Sequence, residues 1–223
     1  MKLFTGIVAS YAIAIADAKS SCLRTRWQDA QRGGSIGCES NEILTGICAS
    51  GRYNDCPNGT WKAASYEVGC CQVRDARRSG CTEVRKGYGK EAECPDDKPF
   101  GTKGCASGKY ADCRNTGGSK VHHELTCCAF EKVEMTLEGC KKIYAKHGKR
   151  ASCPTGYALH GQCTSGQYRD CSGASHWIQC CPFLADADKP KIVKVEFNVD
   201  EAKLIFGRVI ILTHQKMVSD FFK

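Results

Sequence analysis

The apolar positions of this chain come in short bursts separated by turn residues. Ile43-Leu44-Thr45-Gly46-Ile47, Gly156-Tyr157-Ala158-Leu159-His160 and Trp177-Ile178-Gln179 are brief apolar or aromatic segments. Pro57-Asn58-Gly59, Pro95-Asp96-Asp97 and Pro154-Thr155-Gly156 punctuate the chain with residues that tight turns favour. No stretch between Cys22 and Cys181 sustains a long helical period, so the pattern predicts short strands of an all-β fold. Both ends differ. Met1-Lys2, an apolar run over residues 3–15 and Ala16-Asp17-Ala18 have the form of a secretory signal peptide, with cleavage expected after Ala18. Near the other end, Val193, Val195, Phe197 and Val199 alternate with Lys194, Glu196 and Asn198, the pattern of a half-buried strand. Residues 204–212 are apolar but short and interrupted by Arg208, and they fail as a membrane span, which needs about 20 residues. They read as a further strand, a cover for a module, or a partner-binding or membrane-surface segment.

Between these ends the chain repeats itself. Cys48-Ala-Ser-Gly-Arg-Tyr-Asn-Asp-Cys56 returns as Cys105-Ala-Ser-Gly-Lys-Tyr-Ala-Asp-Cys113 and as Cys163-Thr-Ser-Gly-Gln-Tyr-Arg-Asp-Cys171. Each copy sits in a frame of six cysteines that closes on an adjacent pair, Cys70-Cys71, Cys127-Cys128 or Cys180-Cys181. The frames open at Cys22, Cys81 and Cys140, spaced by 59 residues each time, as in an array of like units. Within a frame only the seven-residue gap of the repeated motif is invariant. The gap before the closing pair is 13, 13 and then 8 residues.

Eighteen cysteines in 223 residues approach the density of a disulfide scaffold. An even count and a leader for export both favour oxidised pairs over zinc, whose sites need closely spaced ligands that this chain lacks. A unit of about 59 residues buries too small a share of its surface to be safely stable through apolar contacts alone, so cross-links carry much of the burden. Adjacent cysteines on a strand point to opposite faces and must bond two different elements. The seven-residue gap is short enough to bring its own two cysteines together. Both points suggest a nested scheme, yet six cysteines allow fifteen pairings and spacing alone selects none.

The cysteine order, the threefold repetition and the stretches Cys38-Glu-Ser-Asn-Glu-Ile-Leu-Thr-Gly-Ile-Cys48 and Cys153-Pro-Thr-Gly-Tyr-Ala-Leu-His-Gly-Gln-Cys163 resemble the resistin-like family. They are equally similar to the C-terminal cysteine/histidine-rich domain of the proprotein convertase that controls LDL-receptor turnover. The resemblance spans Cys22 to Cys181. It implies three tandem small disulfide-rich β-sandwich modules in a pseudo-threefold arrangement, over residues 19–76, 77–135 and 136–183, after a leader (1–18) and before a cysteine-free tail (184–223). It also implies the pairs Cys22–Cys71, Cys38–Cys70 and Cys48–Cys56, then Cys81–Cys128, Cys94–Cys127 and Cys105–Cys113, then Cys140–Cys181, Cys153–Cys180 and Cys163–Cys171. The second module departs from the pattern. It reads Cys94-Pro-Asp-Asp-Lys-Pro-Phe-Gly and lacks the Leu-Thr-Gly form, which puts its packing in question. No protease domain precedes the array, so the convertase's chemistry does not carry over.

No catalytic group, cofactor or metal site is predicted. There is no nucleophile elbow and no phosphate-cradling glycine loop with its lysine. His122-His123-Glu124 lacks the helical metal-ligand spacing and reads as a surface turn. The repeated Ser-Gly-x-Tyr-x-Asp brings one carboxylate per loop, far fewer than the roughly 6–8 oxygens that calcium prefers, and reads as scaffold. Charge is more informative. The total is +8, and the third frame holds Lys141, Lys142, Lys146, Lys149, Arg150 and Arg169 against Asp170 alone. The run Lys141, Lys142, Lys146, Lys149 and Arg150 is the candidate binding patch, suited to an acidic extracellular protein or a sulfated glycan, with an ordinary solvated loop as the rival reading. Export argues against nucleic acid, and membrane contact is left to the tail. Asn58-Gly59-Thr60 is a glycosylation sequon on a turn. Arg77-Arg78 reads as a linker pair, with dibasic processing as the rival reading. The expected function is a secreted non-enzymatic protein-protein interaction or ligand-binding scaffold. The alternative is a secreted effector, namely a toxin, antimicrobial protein or protease inhibitor.

Overall fold

Short runs buried along nearly their whole length make the central strands here, and cysteines hold the strands together. The computed structural model describes residues 10–15, 22–30, 34–50, 55–57, 65–106, 113, 121–165, 169–186 and 191–196. The chain forms two units. One combines Met1–Asp17 with Pro190–Lys223, and the other is Ala18–Lys189. In the first, β1 (Ser10–Ile15) pairs antiparallel with the last strand, Lys191–Glu196, from Ser10 opposite Glu196 to Ile15 opposite Lys191. The alternating tail is thus a strand as far as it is described, and its partner comes from the apolar run near the N-terminus. Residues 204–212 lie outside the described residues.

The larger unit is nearly all β, with three antiparallel sheets and no α-helix among the described residues. The first repeat supplies β2 (Cys22–Ala30), β3 (Ile36–Gly37), β4 (Glu42–Ala49) and β5 (Tyr66–Val73). The second supplies β6 (Arg77–Lys86), β7 (Ala92–Glu93), β8 (Phe100–Ala106) and β9 (His123–Glu131). The third sheet is built on β13 (Tyr157–Thr164) and β14 (His176–Ala185), flanked by β10 (Val133–Met135) and β11 (Lys141–Ala145). A two-residue strand, β12 (Ala151–Ser152), completes the third repeat.

The short strands do not stay with their own repeats. β3 adds to β8 of the second sheet, β7 adds to β13 of the third, and β12 adds to β4 of the first. Each repeat therefore donates a strand to the next, and the third donates back to the first. One backbone bond recurs at every crossing. Cys38 N–H donates to Thr102 O at 2.8 Å, Cys94 N–H to His160 O at 2.9 Å, and Cys153 N–H to Thr45 O at 2.7 Å. The three acceptors are the residues at which the central hairpins slip register, between Leu44 and Gly46, Gly101 and Lys103, and Leu159 and Gly161. A bulge leaves one residue out of the ladder. Its carbonyl is then available to the neighbouring repeat, and the ring closes on three such carbonyls.

The core follows the same plan. One apolar cluster takes Leu44, Ile47, Tyr66 and Val68 from the first repeat, Leu125 from the second and Leu159 and Ile178 from the third. At its centre Tyr66 Oη–H donates to Gln162 Oε1 (3.0 Å), and Gln162 Nε2–H donates to the Glu124 carbonyl (3.1 Å), so one buried amide touches all three repeats. A second cluster joins Ile43, Phe100, Phe130 and Phe183, with Phe100 edge-on to both other rings. Cys70 and Cys127 face the first cluster, and their neighbours Cys71 and Cys128 face the second. That is the opposite-face geometry of adjacent strand residues.

Nine disulfides brace this body, and there are no free cysteines. They join Cys22–Cys71, Cys38–Cys70 and Cys48–Cys56 in the first repeat, and Cys81–Cys128, Cys94–Cys127 and Cys105–Cys113 in the second. In the third they join Cys140–Cys181, Cys153–Cys180 and Cys163–Cys171. The outer links close loops of 41 to 49 residues. In the chain-entropy account each such loop contributes about 4 kcal/mol.

Candidate binding surface

The repeated loop explains its own sequence. In Cys48–Cys56, Ser50 Oγ–H donates to Ser65 O (3.3 Å) and accepts from Asp55 N–H (3.0 Å). In Cys163–Cys171, Ser165 Oγ–H donates to Ser175 O (3.0 Å) and accepts from Asp170 N–H (3.3 Å). The serine ties the loop to its sheet, and the aspartate lies against the neighbouring repeat. Gly148 (φ +66°) and Gly89 (φ +64°) are so close to Asp55 and Asp170 that an added Cβ would lie 2.8 and 3.0 Å from the aspartate Cβ. Both glycines sit in the left-handed region, where a side chain is strained in any case. The first seam carries a side-chain clasp as well. His147 of the third repeat places Nδ1 3.1 Å from Asp55 Oδ2 and Nε2 3.1 Å from Ser50 O.

The basic run predicted as one patch divides in two. Lys141 Nζ lies 5.0 Å from the centre of the Tyr157 ring. Lys142 Nζ lies 4.1 Å from that of Trp177 and pairs with Glu91 at 3.1 Å. Arg150 crosses to the first repeat, where it stacks on Trp27 at 4.3 Å, donates to Glu67 Oε2 at 2.9 Å and donates to Pro57 O at 2.6 Å. Glu67 is buried; burial raises its carboxyl and the Arg150 guanidinium partly offsets that rise. Arg150 is thus a brace between repeats. Lys146 and Lys149 remain, exposed and without an acidic partner among the described residues.

A residue outside the predicted run joins them. The third repeat has only eight residues between Cys171 and Cys180, and the loop turns tightly through Ser172 (φ +51°) and Gly173 (φ +83°), where Ala174 N–H returns to Cys171 O at 2.9 Å. Beside this turn a cleft of about 590 Å³ is lined by Tyr144, Lys146, His147, Arg169, Gly173 and Ser175. Arg169 is exposed, has no acidic partner among the described residues, and comes from a loop far along the chain from Lys146. In the sequence Arg169 counted only towards the excess charge of the third frame, and the shortened gap before Cys180 was the trace of the cleft.

Other sequence expectations resolve individually. His122-His123-Glu124, read as a surface turn, instead leads into β9, where His123 and Glu124 are buried. The strand pairing of Lys86 with His123 and Arg85 with Glu124 draws them inward. Burial pushes the His123 imidazole down to about 4 while Nε2 contacts Gly87 O at 3.1 Å. His176, at the matching position of β14, is likewise pushed down to about 4 by burial, which outweighs a weak interaction with the Lys149 backbone that acts to raise it. Arg77 and Arg78 open β6 instead of lying in a linker, and Arg78 Nη2 donates to Cys38 O (3.0 Å) and Glu39 O (2.6 Å). Cys38, Glu42 and Cys70 come close enough together to suggest metal ligands. The two sulfurs are bonded to each other, however, and Glu42 is held by Arg26 at 2.8 and 2.9 Å. Asn58 lies outside the described residues.

Comparison with known proteins yields no family model, no curated protein and no solved structure that matches this chain.

Proposed function

We propose that this chain is a secreted, non-enzymatic binding scaffold of the resistin-like kind, presenting a basic surface to an anionic extracellular partner, either a protein or a sulfated glycan. The observation that carries this reading is the division of the basic residues. Lys141, Lys142 and Arg150 are engaged by neighbouring side chains, whereas Lys146, Lys149 and Arg169 are exposed with no acidic partner among the described residues. Nine disulfides with no free thiol are typical of extracellular proteins and support the assignment of compartment. The cysteine order shared with resistin-like modules supports the kinship.

Binding of the labelled, oxidised protein to cells and matrix from its own extracellular milieu tests the proposal. Saturable binding, competed by unlabelled protein and abolished by reduction, is the expected result. Non-saturable uptake would refute it. Vesicle leakage or protease inhibition at about micromolar protein would point instead to the effector alternative.

A further inference from the structure

Three features of the third repeat converge on one place. Tyr144 lies near the end of β11 and Lys146 just beyond it, and both line the same cleft. Tyr144 is 54% exposed, an unusual position for a large ring with nothing packed over it. Arg169 reaches the same cleft from the Cys163–Cys171 loop, whose disulfide and Ser165 bonds hold it in place. The eight-residue gap belongs to this repeat alone, and so does a tyrosine at this strand position with a lysine two residues later. The matching positions are Asp29 and Gln31 in the first repeat and Arg85 and Gly87 in the second.

We infer that this cleft is the binding site for a sulfated sugar unit, with Lys146 and Arg169 holding the sulfate and the Tyr144 ring covering a face of the sugar. This rests on the scaffold reading above and assigns its ligand class and its residues. A volume of about 590 Å³ suits one or two sugar rings. A guanidinium offers paired donors to an oxyanion, and an ammonium adds a compact charge beside it. Tyrosine presents an apolar body with a polar tip, matching a ring that is apolar on its faces and polar at its rim. His147 lies in the cleft wall, but its two ring nitrogens are already engaged by Asp55 and the Ser50 carbonyl. Lys141 and Lys142 do not line the cleft and are engaged by Tyr157, Trp177 and Glu91 instead.

The experiment is calorimetric titration of the full-length oxidised protein with a heparin hexasaccharide, alongside the same fragment chemically desulfated. Wild type should bind the sulfated fragment, and desulfation should weaken binding about ten-fold or more. The double variant Lys146→Ala/Arg169→Ala should lose about ten-fold, and Lys146→Arg should bind like wild type. Tyr144→Ala should weaken binding without changing its salt dependence, since it removes no charge. Lys141→Ala/Lys142→Ala should bind as wild type does. All of these side chains are exposed, and a non-reducing peptide map checks that the disulfides are intact. If the cleft variant binds within two-fold of wild type, or the desulfated fragment binds equally well, the site assignment is wrong. Loss in the Lys141/Lys142 variant alone would overturn the cleft assignment, place the ligand on those lysines and leave the scaffold reading standing. If wild type binds no heparin fragment yet binds saturably to cells, the sulfated-sugar assignment fails and the scaffold reading survives. If both assays are negative, both fail.

Discussion

Each seam of the ring sets two residues opposite one another, and at each seam one of them is glycine. Gly46 faces Ser152, Gly161 faces Glu93, and Gly37 faces Lys103. In the first two pairs the glycine lies on the long strand, and in the third it lies on the short one. A Cβ on Gly46 would come 2.7 Å from Ala151 O, and one on Gly37 would come 2.8 Å from Lys103 Cβ and 3.1 Å from Thr102 O. The seam thus has room for one side chain, on either strand. Gly37→Ser should overpack it at a cost of about 1–3 kcal/mol. For a body of this size, each kcal/mol lowers the melting temperature by roughly 2–4 °C. Lys103→Gly alone should cost about 0.5–1 kcal/mol through backbone freedom. The double variant recreates the arrangement at the Ser152–Gly46 seam, so its loss should be no greater than that of Lys103→Gly, with a coupling of at least about 1 kcal/mol. Guanidinium unfolding with disulfides intact measures all three. If the two losses add to within about 0.5 kcal/mol, the residues are independent and the shared-space argument fails.

Gln162→Leu should destabilise by about 2–4 kcal/mol, because the Tyr66 hydroxyl and the Glu124 carbonyl both lose their partner in a dry core; chemical unfolding measures it, and a loss under 0.5 kcal/mol would mean that the buried amide does not link the repeats. Acidification should weaken the fold through His123 and His176. Both are pushed down to about 4 by burial, while the unfolded chain titrates near 6.5. Between those values the unfolded chain binds the proton and the fold does not, so stability falls as pH drops from 6.5 to 4 and levels off on either side, by on the order of 3 kcal/mol per histidine at most. Burial works to raise the Glu42 carboxyl, but Arg26 and the Glu39 amide bring it below its usual range, so acid removes its contribution too. Replacing both histidines with phenylalanine should flatten the profile above pH 4.5 in a melting-temperature series. Arg150→Ala should cost about 2 kcal/mol by stranding the buried Glu67 carboxylate, and Arg150→Lys should restore only part because the stacking on Trp27 and the second donor to Pro57 O are lost. The Arg150→Ala deficit should be larger at pH 7 than at pH 5, since burial already favours the protonated form of Glu67. An equal deficit at both pH values would show that the stacking on Trp27 matters more than the charge.

What could be read from the residues alone was whatever spacing encodes. The 59-residue period, the adjacent cysteines and the brief apolar bursts specify strands and cross-links, because strand periodicity and the reach of a disulfide are local geometry. Which repeat a two-residue strand joins is not local. Ile36-Gly37, Ala92-Glu93 and Ala151-Ser152 carry no periodicity to read, and they are placed by a bulge carbonyl in another repeat. The same limit applied to the second repeat. It lacks the Leu-Thr-Gly form because Lys103 stands where the first repeat has Gly46, and Gly37, 66 positions earlier, makes the space. It applied again to the basic run, where consecutive lysines share a label but not a surface. Lys141, Lys142 and Arg150 are committed to Tyr157, Trp177, Glu91, Trp27 and Glu67, while Lys146 meets Arg169 across a fold in the chain. Composition along the chain determined that this protein is a cross-linked β body rich in positive charge. Only long-range packing decided how its three parts close into a ring and which of its cations are left free to bind, since both depend on which distant atoms fill the same small space.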